Sequence, residues 1–470
     1  MDANLNRDDE AVSKIAGKIK VRLGTMGNWD LENRIAWLRY FDAMVAEHKD
    51  KILSAVAKEK GISEHQVLLN EYLVVRLLCK FLIKNARNIL GDEDRSQPFS
   101  LNFGNKKRVV RKEPLGVVGI ISPSNYPFSL LLCAVLPALV AGNGVIWKPA
   151  PDTPDTNQLV LNLLYQSLAE FGAVMLIWQM PGGAEAGQSL VRCKNVDKIH
   201  FTGSDKAGWA IARLNAETRL MPATLELGGS NPAIVLEDAN IKQAAKTIIW
   251  ARFCGMSCNN IKRVLVVSSR YVELVEELST QIKALSDHEA APVSEREAVN
   301  YQRFVSDYEQ VMFGEAPKEV RPNPRMLIVP DANADLLVLK EETFVPLLPV
   351  VQVRDEADAV RCANSSRFGL GASVFTRDKK RFERVAGQLD CTTVYHNDAM
   401  TEFAQMPVPF GGRKDSGTGY SHGPEGLLDF TQLKTIITER WPAPKPQLYP
   451  WTKGKMNFLR RMADWIAKLS

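Results

Sequence analysis

The pattern of apolar and polar positions changes part-way along the chain. Residues 10–90 are charged, and their apolar side chains recur at helical spacing, for example over residues 34–41. From Arg108 onward, short β-branched runs are interrupted by Pro114 and Gly116, which is typical of strands. The sequence therefore predicts several amphipathic helices, then the strand of a hairpin, and then a buried strand.

Strand-like and helical runs alternate between about residues 115 and 225. The strand-like runs are GVVGIIS, GVIWKPA, VMLIWQM and VDKIHFTGS, and the helical runs are LLLCAVLPALV, TNQLVLNLLYQSLAEFG and AGQSLVR. Because such alternation builds βαβ units, we predict a parallel sheet covered on both faces.

A second alternating series follows. Its strand-like runs are PAIVLED, RVLVV, MLIV, LPVVQV, GASVFT and TTVYHN, and its helical runs are AAKTIIWARF, YVELVEELSTQIKAL and ADAVRCANS. We predict a second α/β domain, with the polar, irregular residues 285–320 as a surface excursion. Residues 451–470 predict a basic amphipathic helix, for which packing on a neighbouring subunit is favoured over a membrane surface.

Composition indicates a globular protein of two to four domains. The chain has 470 residues, 45% hydrophobic and 24% charged, and a net charge of +5, which gives no reason to infer nucleic acid as a partner. Its most apolar stretch, residues 129–146, is interrupted by Pro137 and Gly142 and is too short to span a bilayer. The first residues lack the apolar core of a signal peptide. We expect a soluble, cytoplasmic protein.

The seven cysteines are scattered, and none forms a cluster at metal-ligand spacing. We therefore expect a reducing compartment and no metal. Cys258 follows the flexible Gly255 and precedes the strand-like run RVLVV. A thiol at a helix or turn entry can be ionised by backbone N–H groups and act as a nucleophile. Cys258 is therefore the candidate nucleophile, and the alternative is that it is only a buried packing residue. Cys254 is a rival candidate.

Two polar residues lie in segments that suit catalysis. Glu226 ends an apolar run and precedes two glycines in LELGGSNP. An apolar setting raises the pKa of a carboxyl group and suits it to general base catalysis, although a carboxylate paired with a cation is an equal alternative. Asn125 lies between two prolines in ISPSNYPF, where its amide could donate to an oxyanion, or it is an ordinary turn residue.

Candidate cofactor residues follow strands. Gly203 and Ser204 open a helix after the strand-like run VDKIHFT, and the N–H groups at a helix start favour a phosphate or pyrophosphate. Ser204 could equally be a plain N-cap. Lys148 lies at a strand end, where open α/β sheets bind ligands, or it is a solvated lysine. The chain contains no GxGxxG dinucleotide fingerprint.

Eight segments, taken in order, resemble the aldehyde dehydrogenase superfamily: GVVGIISPSNYPF, KPAPDTP, FTGSDKAG, LELGGSNP, CGMSC, EETFVPLLPV, FGLGASVFT and PFGGRKDSGTGYSHG. The resemblance covers most of the chain. It implies an α/β fold with a Rossmann-like cofactor domain, an α/β catalytic domain and a small oligomerisation element. We expect the cofactor domain at residues 1–98 and 115–225, with 404–435 returning to it, the catalytic domain at 226–403, and the oligomerisation element and tail at 99–114 and 436–470.

The resemblance also implies a role for each candidate residue. Cys258 would attack the aldehyde, Asn125 and the Cys258 N–H would form the oxyanion hole, and Glu226 would activate the water that hydrolyses the thioester. The cofactor, NAD or NADP, would be held by the remaining matches: Lys148 at the adenosine ribose, Gly203 and Ser204 at the pyrophosphate, Glu342 at the nicotinamide ribose, Phe344 beside the nicotinamide ring, and Ser122 and Leu227 nearby.

Several positions depart from the family pattern. Ser124 replaces the common Trp beside Asn125, which leaves room for an aromatic or long-chain aldehyde. Met256 replaces a common Gln in a shortened segment before Cys258. Ser230 and Val345 stand where Lys and Gly are usual. Pro151 occupies the position of a Glu that would repel a 2′-phosphate, so we predict that both NAD+ and NADP+ are used.

Two further functions stay open. A CoA-acylating dehydrogenase would pass the thioester to CoA, and such members generally lack the general base, so Glu226 argues against it. The alternative to an enzyme is a non-catalytic binding or structural protein with the same fold. The basic run at residues 106–112 matches a projecting hairpin that pairs with a neighbouring subunit, so we expect a homodimer or homotetramer.

Overall fold

The computed structural model describes residues 2–96, 106–285, 295–313, 327–329, 332, 335–440, 445 and 448–468. The helices are α1 (Asp2–Thr25), α2 (Leu31–Glu47), α3 (Lys49–Lys60), α4 (Glu64–Val67), α5 (Leu73–Leu90), α6 (Ser129–Val140), α7 (Pro154–Glu170), α8 (Ala184–Arg192), α9 (Asp205–Thr218), α10 (Ile241–Phe253), α11 (Tyr271–Ala284), α12 (Glu295–Phe313), α13 (Leu337–Lys340), α14 (Glu356–Asn364), α15 (Lys379–Ala386), α16 (Gly423–Leu428) and α17 (Lys453–Ala467).

The strands form three larger sheets and one short pair. They are β1 (Glu93–Asp94), β2 (Lys106–Pro114), β3 (Val117–Ile121), β4 (Gly144–Lys148), β5 (Ile177–Gln179), β6 (Lys198–Thr202), β7 (Ala223–Glu226), β8 (Asn231–Val235), β9 (Ile261–Val267), β10 (Leu327–Val329), β11 (Leu347–Val353), β12 (Phe368–Gly369), β13 (Gly371–Phe375), β14 (Thr393–His396), β15 (Arg413–Lys414), β16 (Gly417–Thr418) and β17 (Thr431–Glu439).

The first sheet has the strand order β16-β7-β6-β3-β4-β5, and its strands from β7 to β5 run parallel. Successive side chains of a strand point to opposite faces. Val118 and Ile120 of β3 accordingly join the core beneath α6 and α7, whereas Val117 and Ile121 pack under α1 and α8. Both faces are covered by helices, which explains why β3 is apolar throughout and confirms the predicted parallel sheet.

The second sheet, in the order β10-β11-β9-β8-β13-β14, is parallel throughout. In β9, Val264 and Val266 face α10 and α11, whereas Leu265 and Val267 face α14 and α15. The second predicted α/β unit is therefore confirmed as a sheet between two layers of helices.

The third sheet is antiparallel, with the order β1-β2-β17. Every residue of β17 has a partner in β2, from Thr431 opposite Pro114 to Glu439 opposite Lys106. The basic run of the sequence is therefore one strand of a ribbon. On β17, Leu433 and Ile437 are 66% and 61% exposed.

Residues 285–320 differ from the prediction, because α12 occupies Glu295–Phe313. Phe304 is buried in a small core with Tyr301, Val305 and Tyr308 partly buried against it. Their spacing of three to four residues is helical, but the polar residues between them hide the periodicity. Residues 286–294 and 314–320 lie outside the described part. Within it, no helix combines the length and apolar character needed to cross a bilayer.

Candidate active site

The two parallel sheets meet where the predicted site residues lie. Ser122, Lys148, Gly203 and Glu226 lie at the carboxyl ends of β3, β4, β6 and β7, which share one edge of the first sheet. Cys258 lies three residues before β9, at the amino edge of the second sheet. In the first sheet, β4 lies on one side of β3 and β6 on the other. At such a switch point, the carboxyl ends of the strands form the crevice in which open α/β sheets bind ligands.

Side-chain amides hold the loop that carries Cys258, residues 254–260, which we term the cysteine loop. Asn260 accepts from the Ser257 N–H at 3.2 Å and donates to the Gly255 carbonyl at 2.6 Å. Outside the loop, the Gln66 amide donates to the Cys254 carbonyl at 3.1 Å, and the Asn231 amide donates to the Asn259 carbonyl at 2.9 Å. These amides satisfy backbone groups that no helix or sheet satisfies.

Asn125 and Tyr126 bind the same loop. The Asn125 amide donates to the Met256 carbonyl at 2.9 Å, and the Met256 N–H donates to the Tyr126 hydroxyl at 3.1 Å. A Cβ on Gly255 would lie 3.0 Å from that hydroxyl, so the hydroxyl would have to shift by a few tenths of an ångström to admit a side chain there. Asn125, expected to form the oxyanion hole with the Cys258 N–H, thus lies against the cysteine loop. One amide hydrogen is used by the Met256 carbonyl, and an amide nitrogen carries a second.

Charged groups surround the half-buried Cys258 thiol. Burial, followed by the Glu342 carboxylate, raises the pKa of Cys258 to about 12, and Glu226 and Glu402 act in the same direction. The Lys262 ammonium opposes this rise. The thiol is therefore protonated at neutral pH in the state described, and it becomes a nucleophile only when a proton is removed.

Glu226 is 3% exposed at the end of β7. Burial raises the pKa of its carboxyl group well above the usual range, and the Ser421 hydroxyl, which donates to Oε1 at 3.3 Å, opposes the rise. No ion pair joins Glu226 to a cation in the described part of the chain, so the paired-carboxylate alternative has no partner there. A Cβ on Gly229 would lie 2.6 Å from the Cys258 carbonyl oxygen, so the two glycines after Glu226 bring its segment against the cysteine loop.

Glu342 and Phe344 precede β11 and meet a residue that the sequence did not single out. The Lys262 ammonium lies 2.7 Å from Glu342 Oε1 and 4.5 Å from the centre of the Phe344 ring. The Gly229 N–H also donates to Glu342 Oε1, at 3.0 Å. Sequence reasoning gave no role to Lys262, although a lysine inside the largely apolar β9, four residues after Cys258, is a signal that could have been followed.

The first sheet edge holds the other predicted cofactor residues. Ser204 is the N-cap of α9, its hydroxyl accepting from the Ala207 N–H at 3.3 Å. Lys148 is 9% exposed, and burial lowers the pKa of its ammonium. The Ser122 N–H donates to the Lys148 carbonyl at 3.2 Å. A Cβ on Gly208 would lie 2.3 Å from the Leu227 side chain, so α9 approaches the strand ends closely.

Comparison with known proteins decides the family. The sequence profile of the Aldehyde dehydrogenase family matches residues 5–436. The chain belongs to the aldehyde dehydrogenase family. A curated relative is the 4,4'-diapolycopene aldehyde oxidase of a Methylomonas species, 31% identical over 92% of this chain and 83% of that protein.

Solved aldehyde dehydrogenases share the fold. A Mycobacterium tuberculosis aldehyde dehydrogenase complexed with NAD+ is 29% identical, with a TM-score of 0.81 over 91% of this chain and 90% of its own. The NADP-dependent glyceraldehyde-3-phosphate dehydrogenase of Bacillus halodurans, complexed with NADP, is 28% identical, with a TM-score of 0.81 over 92% of this chain and 91% of its own. This aldehyde dehydrogenase is therefore an enzyme that oxidises an aldehyde to the acid with NAD or NADP.

Proposed function

We propose that this aldehyde dehydrogenase is hydrolytic, with Cys258 as nucleophile and Glu226 as general base. The observation that carries the proposal is the close approach of Gly229, three residues after Glu226, to the Cys258 carbonyl oxygen. It brings the segment that follows the buried carboxyl group against the loop that carries the thiol. Burial raises the pKa of this carboxyl group, which makes its ionised form a stronger base toward water.

The residues of this site act in successive steps of the reaction. The Cys258 thiol gives its proton to solvent, and its sulfur forms a bond to the carbonyl carbon while the C=O π bond opens to an oxyanion. The Cys258 N–H and the second hydrogen of the Asn125 amide stabilise this oxyanion. NAD(P)+, when bound, supplies the hydride acceptor. Glu226 takes a proton from the water that cleaves the resulting thioester, which releases the carboxylic acid and returns the thiol.

The residues at the first sheet edge fit a dinucleotide. The N-terminus of α9 after Ser204 offers backbone N–H groups and a helix dipole to a pyrophosphate. Lys148 would reach the adenosine ribose, Gly203 would let the pyrophosphate approach the backbone, and Glu342 and Phe344 would hold the nicotinamide end, with Ser122 and Leu227 lining the edge. Pro151 is exposed and uncharged, so we expect turnover with both NAD+ and NADP+.

The division into units is also a proposal. Residues 1–98 and 115–225, with 404–435, would form the cofactor domain, 226–403 the catalytic domain, and 99–114 with 436–470 the oligomerisation element. The first and second sheets support the first two units. The ribbon of β2 and β17 supports a homodimer or homotetramer. β17 continues across residue 435, the proposed boundary between the cofactor domain and the oligomerisation element.

The substrate we infer is an aromatic or long-chain aldehyde. Ser124 beside Asn125 leaves room next to the thiol, and Met400 Cε approaches Gly255 of the cysteine loop, which adds an apolar group on this side. No disulfide bond joins the seven cysteines in the described structure, and thiols in this state suit the reducing, cytoplasmic compartment that we propose.

The proposal is tested by measuring cofactor reduction with a panel of aldehydes, in the wild type and in variants in which one cysteine is replaced. With NAD+ or NADP+, we expect the wild type to reduce cofactor faster with benzaldehyde and decanal than with acetaldehyde. Cys258→Ser should lose at least about a thousandfold in kcat, whereas Cys254→Ser, four residues away in the same loop, should retain activity. A loss that follows Cys254→Ser instead of Cys258→Ser would contradict the assignment of the nucleophile.

A further inference from the structure

Lys262 is a fully buried lysine on β9, four residues after Cys258. Its side chain is 0% exposed, and lysines are almost never fully buried unless they are paired. The ammonium donates to the Gly229 carbonyl at 2.7 Å, to Glu342 Oε1 at 2.7 Å and to the Cys258 carbonyl at 3.3 Å. An ammonium has three donors, so each of them has a partner.

The three partners come from three separate segments of the candidate site. Gly229 follows the general-base segment, Cys258 is the candidate nucleophile, and Glu342 is the candidate ligand of the nicotinamide ribose. The ring of Phe344 completes the environment of the ammonium at 4.5 Å from its centre, within the range of a cation–π contact. One cation therefore contacts the segment after Glu226, the cysteine loop and the candidate ribose ligand.

We propose that Lys262 is a positioning residue that holds the Glu342 carboxylate against the Gly228–Gly229 turn and supplies the positive charge facing the Cys258 thiolate. The inference rests on the proposed role of Cys258 as nucleophile.

The Glu342 carboxylate has little freedom to leave this position. The Gly229 N–H donates to its Oε1 at 3.0 Å, and a Cβ on Gly228 would lie 2.1 Å from its Oε2. Lys262 bonds the same Oε1 from β9. The carboxylate is thus fixed by one backbone donor, one cation and the space that a glycine leaves open, which preorganises it for a ribose.

The charge of Lys262 matters because its surroundings are acidic. Cys258 is faced by the carboxyl groups of Glu226, Glu342 and Glu402, and the Tyr126 phenol lies near it. The three carboxyl groups raise the pKa of the thiol, and Lys262 opposes them.

Lys262 is itself affected by its neighbours. Burial lowers the pKa of its ammonium, Glu342 opposes that change, and Arg252 on α10 adds to it. Without the ammonium, a thiolate at Cys258 would face the carboxylates with no compensating charge beside it.

The test is the pH dependence of iodoacetamide alkylation at Cys258, read on its peptide by mass spectrometry without aldehyde or cofactor. Lys262→Gln should raise the apparent pKa and slow alkylation about tenfold at a given pH below that pKa, and Lys262→Arg should restore the wild-type profile. Glu342→Gln should shift the apparent pKa downward, because it removes a carboxylate while the cation stays. Lys262 and Glu342 are in contact, and general damage to the fold would not shift the apparent pKa of Cys258 in opposite directions in their two variants.

Unchanged profiles in Lys262→Gln and Glu342→Gln, or shifts in the same direction, would overturn the proposal. If Lys262→Gln does not fold, as judged by its thermal midpoint, the direction of the Glu342→Gln shift decides. Since alkylation needs no dehydrogenase activity, a protein that oxidised none of the aldehydes would still show the shifts. An active enzyme with unchanged profiles would overturn this inference and leave the proposed function intact. A KM for NAD(P)+ that rises more than kcat falls in Lys262→Gln would support the positioning of Glu342.

Discussion

At the scale of residues, the cysteine loop depends on side-chain amides. Asn260 bridges the loop from within, since its oxygen accepts from Ser257 and its nitrogen donates to Gly255 and, at 3.3 Å, to the Arg252 carbonyl. Asn260 is 2% exposed, so water cannot replace these bonds. Losing a buried partner leaves polar groups unsatisfied, which costs about 1–3 kcal/mol per group.

We predict that Asn260→Ala lowers both the thermal midpoint and kcat, because the loop loses the bonds that fix the Cys258 backbone. Differential scanning calorimetry and steady-state kinetics measure the two effects. The matched control is Asn364→Ala, which removes a similar pair of bonds, to the Gln388 carbonyl and from the Asp390 N–H, far along the chain from the loop. Asn364 is partly exposed, so water can replace these bonds, and the control should change neither the thermal midpoint nor turnover by much. Full turnover in a folded Asn260→Ala would contradict the prediction.

The sequence indicated Cys258, Glu226 and Asn125 from local context, because each lies beside a glycine, a proline or a strand end. It did not indicate Lys262, Gln66 or Asn260. The roles of these residues depend on contacts made after folding, such as the bond from Gln66 to Cys254, which spans 188 positions along the chain. Pairing of this kind leaves no periodicity or spacing to detect.

At the scale of elements, helix α6 begins on a buried carboxyl group. Glu71 lies in a π-helical turn, Leu68–Tyr72, and accepts from the N–H groups of Phe128 and Ser129 at 3.0 and 2.6 Å. The first N–H groups of a helix need such partners. Burial raises the pKa of Glu71 from 4.5 to about 7, against the opposing bonds from Ser129 and Phe128.

This pKa gives a stability prediction with a definite sign. The folded protein keeps the Glu71 proton up to about pH 7, whereas the unfolded chain loses it near its ordinary value. The free energy of unfolding therefore falls as pH rises between these values, by on the order of 3 kcal/mol. Glu71→Gln keeps an acceptor for the helix but cannot ionise. We expect its thermal midpoint to rise relative to the wild type as pH increases from about 5 to 8.

The control for Glu71 is Glu64→Gln, which changes an exposed carboxyl group on α4. It should follow the wild type at every pH. Thermal midpoints of Glu71→Gln and wild type that stay parallel across this range would contradict the prediction.

Strands and helices were predicted well where apolar runs were unbroken, as in β3, β4, β6, β8 and β9. The predicted tail helix is also present, as α17 at Lys453–Ala467. One failure was α12, in which polar residues separate the few buried side chains. Strand order was not predictable from the sequence either, because the pairing of β6 and β4 on opposite sides of β3 is decided by packing over long separations.

At the scale of the whole molecule, the outer ribbon presents apolar side chains to solvent. Leu433 and Ile437 are four positions apart, so their side chains share one face of β17. β17 is at the end of its sheet. An edge strand with exposed apolar side chains is a surface for pairing with another chain. This favours the proposed homo-oligomer.

We predict that replacing Leu433 and Ile437 together by Lys shifts the sedimentation coefficient to that of a smaller species, because the charges disfavour burial of this face. Gln432 and Thr438 lie on the opposite face of β17 and are also exposed. The same double replacement by Lys there is the control and should leave the assembly intact. A wild type that sediments as a single chain, or equal effects of the two double variants, would contradict the proposal.

The hydrolytic account is tested most directly by rapid mixing of Glu226→Gln with aldehyde and NAD(P)+. The variant should give a burst of about one reduced cofactor per chain, little steady turnover and a thioester on the Cys258 peptide. In the wild type, burial holds the pKa of Glu226 well above its usual range, so steady turnover should rise with pH as this carboxyl group ionises. Unchanged steady turnover in Glu226→Gln, or an adduct on a cysteine other than Cys258, would contradict the account.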